Sequence, residues 1–121
     1  MDTILVVDDE QPIRELLISF LEKAGHRVVG AEDGPSAIAA ARKLKPRAIL
    51  LDIAMPGMNG IEALKQLLAQ QPNVTVIMMS GHADHQTALK ALDLGAFDFI
   101  EKPFDFDYLQ KVLIVKMNLS G

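Results

Sequence analysis

The stretch ILLDIAMPGMNG, residues 49–60, carries the reading of the fold. An unbroken aliphatic run with no polar alternation describes a strand buried on both faces, as inside a parallel sheet. The run ends on a carboxylate, Asp52, and passes at once into Met-Pro-Gly and Asn-Gly, which are turn signals. A helix-capping aspartate explains that placement, and so does an acid that the fold must present at a sheet edge. What else reaches the same edge decides between the two.

Outward from this run, β-rich segments recur at Ile4 to Val7, Arg27 to Ala31, Ala48 to Leu51, Val74 to Met79 and Phe97 to Ile100. Apolar residues at helical spacing fill the intervals. Ile13, Leu16, Leu17, Phe20 and Leu21 form one stripe, and Ile61, Leu64, Leu67 and Leu68 another. Start and stop signals agree. Pro12 suits the first turn of helix one and Gly25 its end; Asp33-Gly34-Pro35 opens helix two, which stops before Pro46. Asn59 with Glu62 is a capping-box pair for helix three, Asp84 caps helix four, Gly95 closes it, and Asp105 caps helix five. Apolar strands alternating with helices predict a doubly wound α/β domain with right-handed crossovers and strand order 2-1-3-4-5. Its ligand crevice is expected at the carboxyl ends of strands one and three, where the winding reverses.

The 121 residues are read as a single domain, 1–121, with half the chain apolar, 23% charged and no linker or repeat. The apolar runs are far shorter than the ~20 residues a membrane-spanning helix needs, and the expectation is a cytoplasmic protein with no membrane contact. Absence of cysteine rules out disulfides, thiolate metal sites and a cysteine nucleophile. A net charge of −4 argues against direct nucleic-acid binding by this domain.

The crevice rule sorts the polar residues. Strand one runs into Asp8, Asp9 and Glu10, strand three into Asp52, strand four into Ser80, and strand five into Glu101, Lys102 and Pro103. Carboxylates crowded at ~4 to 6 Å repel and rise in pKa unless a cation intervenes. With no cysteine or histidine at these strand ends the donors are hard oxygens, which favour Mg²⁺, with Mn²⁺ as an alternative. Asp8, Asp9 and Asp52 are the candidate ligands. Pro56 biases Met55 to an extended conformation and Gly57 permits a sharp turn, so that the Ala54 carbonyl can face the ion.

The motifs LVVDDE, LLDIAMPGMNG, VIMMSGH and GAFDFIEKPF, in this order, resemble the receiver domain of two-component response regulators across nearly the whole chain. The resemblance implies a flavodoxin-like (βα)5 three-layer domain in phosphorelay signal transduction. In it Asp52 is the phosphoacceptor, served by a histidine kinase or histidine phosphotransferase, and the chain is not an enzyme beyond assisting its own phosphorylation and dephosphorylation. Ser80 and Lys102 contact the phosphoryl group. Ser80 and Phe99 form the switch, and Lys102-Pro103 is a candidate cis peptide. Asp9, Asp52 and the Ala54 carbonyl bind the metal directly and Asp8 through water. Ala54 and His82, two residues beyond Asp52 and Ser80, are placed to tune the phosphoryl lifetime. The surface of helix four, strand five and helix five, with Leu109, Val112 and Lys116, is the expected contact for a downstream effector or second receiver.

Other readings stand beside this one. The chain resembles receivers that open sigma-54-type regulators as well as stand-alone relay proteins. A Mg²⁺-dependent phosphohydrolase of the haloacid-dehalogenase kind also uses an aspartyl phosphate, but it places a second acid where this chain has Ala54. A flavin binder of the same architecture needs a hydroxyl- and glycine-rich loop where Asp8-Asp9-Glu10 stands. His82 and His85 lack a third soft ligand, and Met55, Met58, Met78 and Met79 read as core and loop fillers. Arg42, Lys43, Lys45 and Arg47 read as a solvated helix end, and Asp33, Asp98 and Asp105 as caps or surface acids.

Overall fold

The computed structural model describes residues 3–81, 85–102 and 105–120, with side chains throughout except those of residue 85 and residues 115–120. Strands and helices alternate as β1 (Thr3–Val7), α1 (Gln11–Lys23), β2 (Arg27–Ala31), α2 (Gly34–Leu44), β3 (Ala48–Asp52), α3 (Gly60–Gln70), β4 (Thr75–Ser80), α4 (His85–Leu94), β5 (Asp98–Glu101) and α5 (Phe106–Ser120). The strands form one parallel sheet in the order β2-β1-β3-β4-β5, as expected.

Alternate side chains along each strand feed two cores. Leu5, Val7, Ile49, Leu51, Val76 and Met78 meet Ala37 and Ile38 of α2, Leu64 and Leu67 of α3, and Ala88 and Ala91 of α4. Ile4, Val6, Leu50, Ile77 and Met79 meet Leu17 and Leu21 of α1 and Leu109, Val112 and Leu113 of α5. Both faces are covered, which is why the strands show no polar alternation. Leu50, fully buried on the central strand, is a position where truncation to alanine costs roughly 2–5 kcal/mol.

The punctuation follows local chemistry. Gly25, at φ +99°, closes α1 while His26 N–H donates to the Leu21 carbonyl at 3.1 Å. Asp33 caps α2 by accepting from Ser36 N–H at 2.8 Å, Asn59 caps α3 through Glu62 N–H at 2.9 Å, and Asp105 caps α5 through Tyr108 N–H at 3.1 Å. The expected cap of α4, Asp84, lies outside the described residues. Lys45 ends α2 in the left-handed region, φ 48°, because Pro46 disfavours the helical region for the residue before it.

Three expectations need correction. Strands β3, β4 and β5 extend to Asp52, Ser80 and Glu101, since Ile53 N–H donates to Met79 O at 3.0 Å and Lys102 N–H to Ser80 O at 2.9 Å, prolonging the ladders. β4 and β5 also begin one residue later than read. Leu16 is 53% exposed and outside the buried stripe of α1, because it sits about 100° round the helix from Leu17. Among the described residues no helix is long and apolar enough to cross a membrane.

Candidate functional site

Val7 of β1 pairs with Leu51 of β3, so the residues that follow, Asp8 and Asp52, stand side by side at the carboxyl edge. Both are buried, at 0% and 3% exposure. Asp8 is tied into its turn: its N–H donates to Ala31 O at 3.2 Å and its Oδ1 accepts from Glu10 N–H at 2.9 Å. Asp52 Oδ1 accepts from Ala54 N–H at 3.2 Å. Lys102, aimed inward from the end of β5, brings Nζ to 3.1 Å from Asp8 Oδ2, 3.4 Å from Asp52 Oδ2 and 3.5 Å from Glu10 Oε1. Asp8 Oδ2 is fully buried, and among the described residues its partner is this ion pair and not a regular hydrogen bond.

One ammonium does not neutralise this edge. Burial first, then the neighbouring Asp8, pushes the Asp52 carboxyl up to about 7, although Lys102 and the Ala54 N–H pull the other way. Burial draws the Lys102 ammonium down, but Asp52 and Asp8 outweigh it and hold Lys102 above its ordinary value. Asp9, exposed on the rim, completes a triad whose ligand oxygens all lie within 4.8 Å of one another. Three hard-oxygen ligands, two of them buried with one ammonium shared between them, fit a small divalent cation.

The other predicted residues fall as follows. Ser80 is fully buried and its hydroxyl donates to the Ile100 carbonyl over a long 3.5 Å. Phe99 is half-buried and packs against the core beneath α2, α3 and α4. Ala54 is exposed beside Asp52. Met55 and Met78 are buried in the core on which Met58 packs, and Met79 is buried in the other, the filler role expected of them. His82 and Pro103 lie outside the described residues, and with them the cis-peptide expectation. Leu109 and Val112 do not reach the surface: at 0% and 9% exposure they face the sheet. Among the described residues the large apolar groups exposed here are Phe97, just before β5, and Tyr108 and Ile114 of α5; the Lys116 side chain is outside the description.

Two features escaped the sequence reading. Gly60, read only as half of a turn signal, starts α3 so close to β3 that a Cβ there would meet Asp52 O and Ile53 Cα at 2.6 Å. Glycine thus lets α3 approach the backbone that presents Asp52. Asp98, read as a surface acid, accepts from Phe99 N–H at 2.8 Å and from the Tyr108 hydroxyl, joining β5 to α5. That hydrogen bond to Asp98 also raises the Tyr108 hydroxyl above its usual value.

Residues 4–114 match the sequence pattern described as the response regulator receiver domain. The chain belongs to the response regulator receiver family. The receiver is 37% identical over 121 residues to regulatory protein AtoC of Escherichia coli K12, an alignment that takes in all of this chain and 26% of AtoC. It is 39% identical over 102 residues to chemotaxis protein CheY of Thermotoga maritima, covering 84% of this chain and 85% of CheY. The crystal structure of the receiver domain of NtrX from Brucella abortus superposes with a TM-score of 0.90 at 42% identity, over 95% of this chain and 98% of that one. The chain therefore spans about a quarter of the length of AtoC and nearly the whole of CheY. Its flavodoxin-like fold is that of a two-component receiver, a signalling domain.

Proposed function

We propose that Asp52 is the phosphoacceptor of this receiver, taking a phosphoryl group from a phosphohistidine of a histidine kinase or histidine phosphotransferase. The observation that carries the reading is the convergence of buried Asp52, buried Asp8 and Lys102 within 3.4 Å contacts at the carboxyl edge. An Asp52 oxygen attacks phosphorus, the phosphorus–nitrogen bond to the donor imidazole breaks, and the imidazole leaves with that electron pair. Asp9, Asp52 and the Ala54 carbonyl would hold Mg²⁺ or Mn²⁺ directly, with Asp8 through water. The ion, when bound, draws Asp52 to its ionised form and neutralises charge on the transferred group. Lys102, already shared among acids, exchanges a carboxylate for a phosphoryl oxygen.

The output runs through Ser80. Its long hydrogen bond to Ile100 is a weak one to give up, and a charge-assisted bond to the phosphoryl group contributes roughly 1.5–3 kcal/mol, about ten- to a hundred-fold in population. As Ser80 turns inward, Phe99 repacks and alters the surface of α4, β5 and α5, where Phe97 and Tyr108 are exposed to an effector or a second receiver. Ala54, exposed beside Asp52, and His82, by its sequence position two residues beyond Ser80, tune the lifetime of the acyl phosphate.

A second reading concerns context rather than chemistry. The likeness to AtoC, of which the chain covers 26%, favours the alternative of a receiver within a longer regulator, and the likeness to CheY, of which it covers 85%, favours a stand-alone protein. The extent of the reading frame distinguishes them. The function itself is tested by incubating the protein with acetyl phosphate with and without Mg²⁺. One metal-dependent acyl phosphate per chain is expected. Sustained turnover of a phosphoester would point to a phosphohydrolase instead, and no labelling to an inert module.

A further inference from the structure

We infer that Arg14 is a positioning residue that fixes the turn carrying Asp8 and Asp9 in the geometry a divalent cation requires, an inference that rests on the metal reading above. Arg14, in the first turn of α1, reaches back so that Nη1 donates to the carbonyl oxygen of Asp8 at 2.6 Å. A guanidinium bonded to a carbonyl is a charge-assisted contact, and this one is partly buried. The Asp8 carbonyl belongs to the planar peptide unit that joins Asp8 to Asp9. Holding that oxygen therefore sets the tilt of the unit, and with it where the Asp9 side chain points relative to Asp8.

The rest of the turn shows what Arg14 adds. The Asp8 N–H is held by Ala31 O and its Oδ1 by Glu10 N–H, while Oδ2 faces the site. The first bond fixes Asp8 itself, the second closes a ring through the Asp8–Asp9 peptide unit, and Arg14 adds the bond that holds the carbonyl oxygen of that unit. The arginine stem is seated by Gly30 of β2, where an added Cβ would come within 3.1 Å of Arg14 Cδ and 3.0 Å of Ile18 Cδ1. Gly30 does not have a left-handed backbone, so its value here is the space it leaves for that stem.

The direction of the effect separates positioning from charge. A guanidinium near the acids repels a cation, so on Coulombic grounds its removal strengthens Mg²⁺ binding. If Arg14 acts by holding the turn, its removal weakens binding instead. The experiment is a calorimetric Mg²⁺ titration of wild type, Arg14→Met and Gly30→Ala at fixed ionic strength, with the amide NMR signals of Asp9 and Glu10 followed in parallel. Arg14→Met keeps an apolar stem over Gly30 and loses the donor; about tenfold weaker Mg²⁺ binding is expected, with shifted Asp9 and Glu10 amides. Gly30→Ala keeps every charge but crowds the stem, and a few-fold loss is expected. Unchanged or tighter binding in Arg14→Met overturns the role of Arg14 while leaving the metal site standing. No Mg²⁺ binding by the wild type overturns both. Should Arg14→Met fail to fold, Gly30→Ala decides by itself, and unchanged affinity there counts against the inference.

Discussion

Asp33 and Asp52 both stand where a strand passes into a helix, yet their environments drive them in opposite directions. Asp33 follows β2, an edge strand, and its carboxylate accepts from both the hydroxyl and the N–H of Ser36, which hold it below the usual carboxylate range. Asp52 ends β3, the central strand, where burial and Asp8 push it up to about 7. Asp33 is set by Ser36, three residues along its own chain, whereas Asp52 is set by burial and by a residue of another strand. At the sheet edge a helix N-terminus satisfies the acid. At the centre, the neighbouring strand β1 delivers a second acid, and a lysine reaches in from the end of β5, beyond β4. The comparison teaches that a parallel sheet concentrates chemistry at its middle strands, where ends from both sides can converge.

The largest break in that comparison comes from removing the cation at the centre. Lys102→Met leaves Asp8 and Asp52 without their shared ammonium, and its rate of phosphorylation by acetyl phosphate is expected to fall by about a hundredfold or more, measured at saturating Mg²⁺. A rate within a few-fold of wild type would remove Lys102 from the chemistry.

A smaller effect distinguishes the two aspartates by pH. Because the folded-state value of Asp52 lies above 3.8, the folded protein holds that proton longer than the unfolded chain, and stability falls as pH rises from about 4 to about 7. Asp52→Asn removes this slope. Without metal it is expected to be more stable than wild type by roughly 1–3 kcal/mol at pH 8, with the gain vanishing near pH 4, as read by urea denaturation. A destabilised Asn variant at pH 8 would contradict the electrostatic picture.

Asp33 gives the opposite and smallest response. Its lowered value means that its contribution is present above the unfolded-state value and is lost as pH falls through the folded one. Asp33→Ala is therefore expected to lower the melting temperature by a few degrees at neutral pH and by less in acid. Equal loss at every pH would show that the cap does not act through its charge.

Much of this was legible because the signals are local or periodic. Unbroken aliphatic strands announce burial on both faces, and Asp8, Asp52, Ser80 and Lys102 follow or end those strands, so topology alone brings them to one edge. What was not legible depends on contacts between elements. The need for Gly60 comes from the backbone of β3, the Asp98–Tyr108 bond joins a strand to a helix, and Arg14 meets Asp8 only after α1 folds back. Leu109 and Val112 were placed outward although their helix turns them to the sheet, and Leu16 was placed inward although it lies at the margin of its stripe. Helical spacing groups residues into faces, but the neighbours a helix docks against decide how wide the buried face is. The left-handed Lys45 carries no residue signature of its own, only the proline that follows it.

The most direct test of the central claim is site-resolved phosphorylation of wild type, Asp33→Asn and Asp52→Asn with acetyl phosphate and Mg²⁺, followed by intact mass. The account predicts one phosphoryl group on wild type and on Asp33→Asn, and none on Asp52→Asn. An Asp52→Asn protein that still takes up a full equivalent would contradict it.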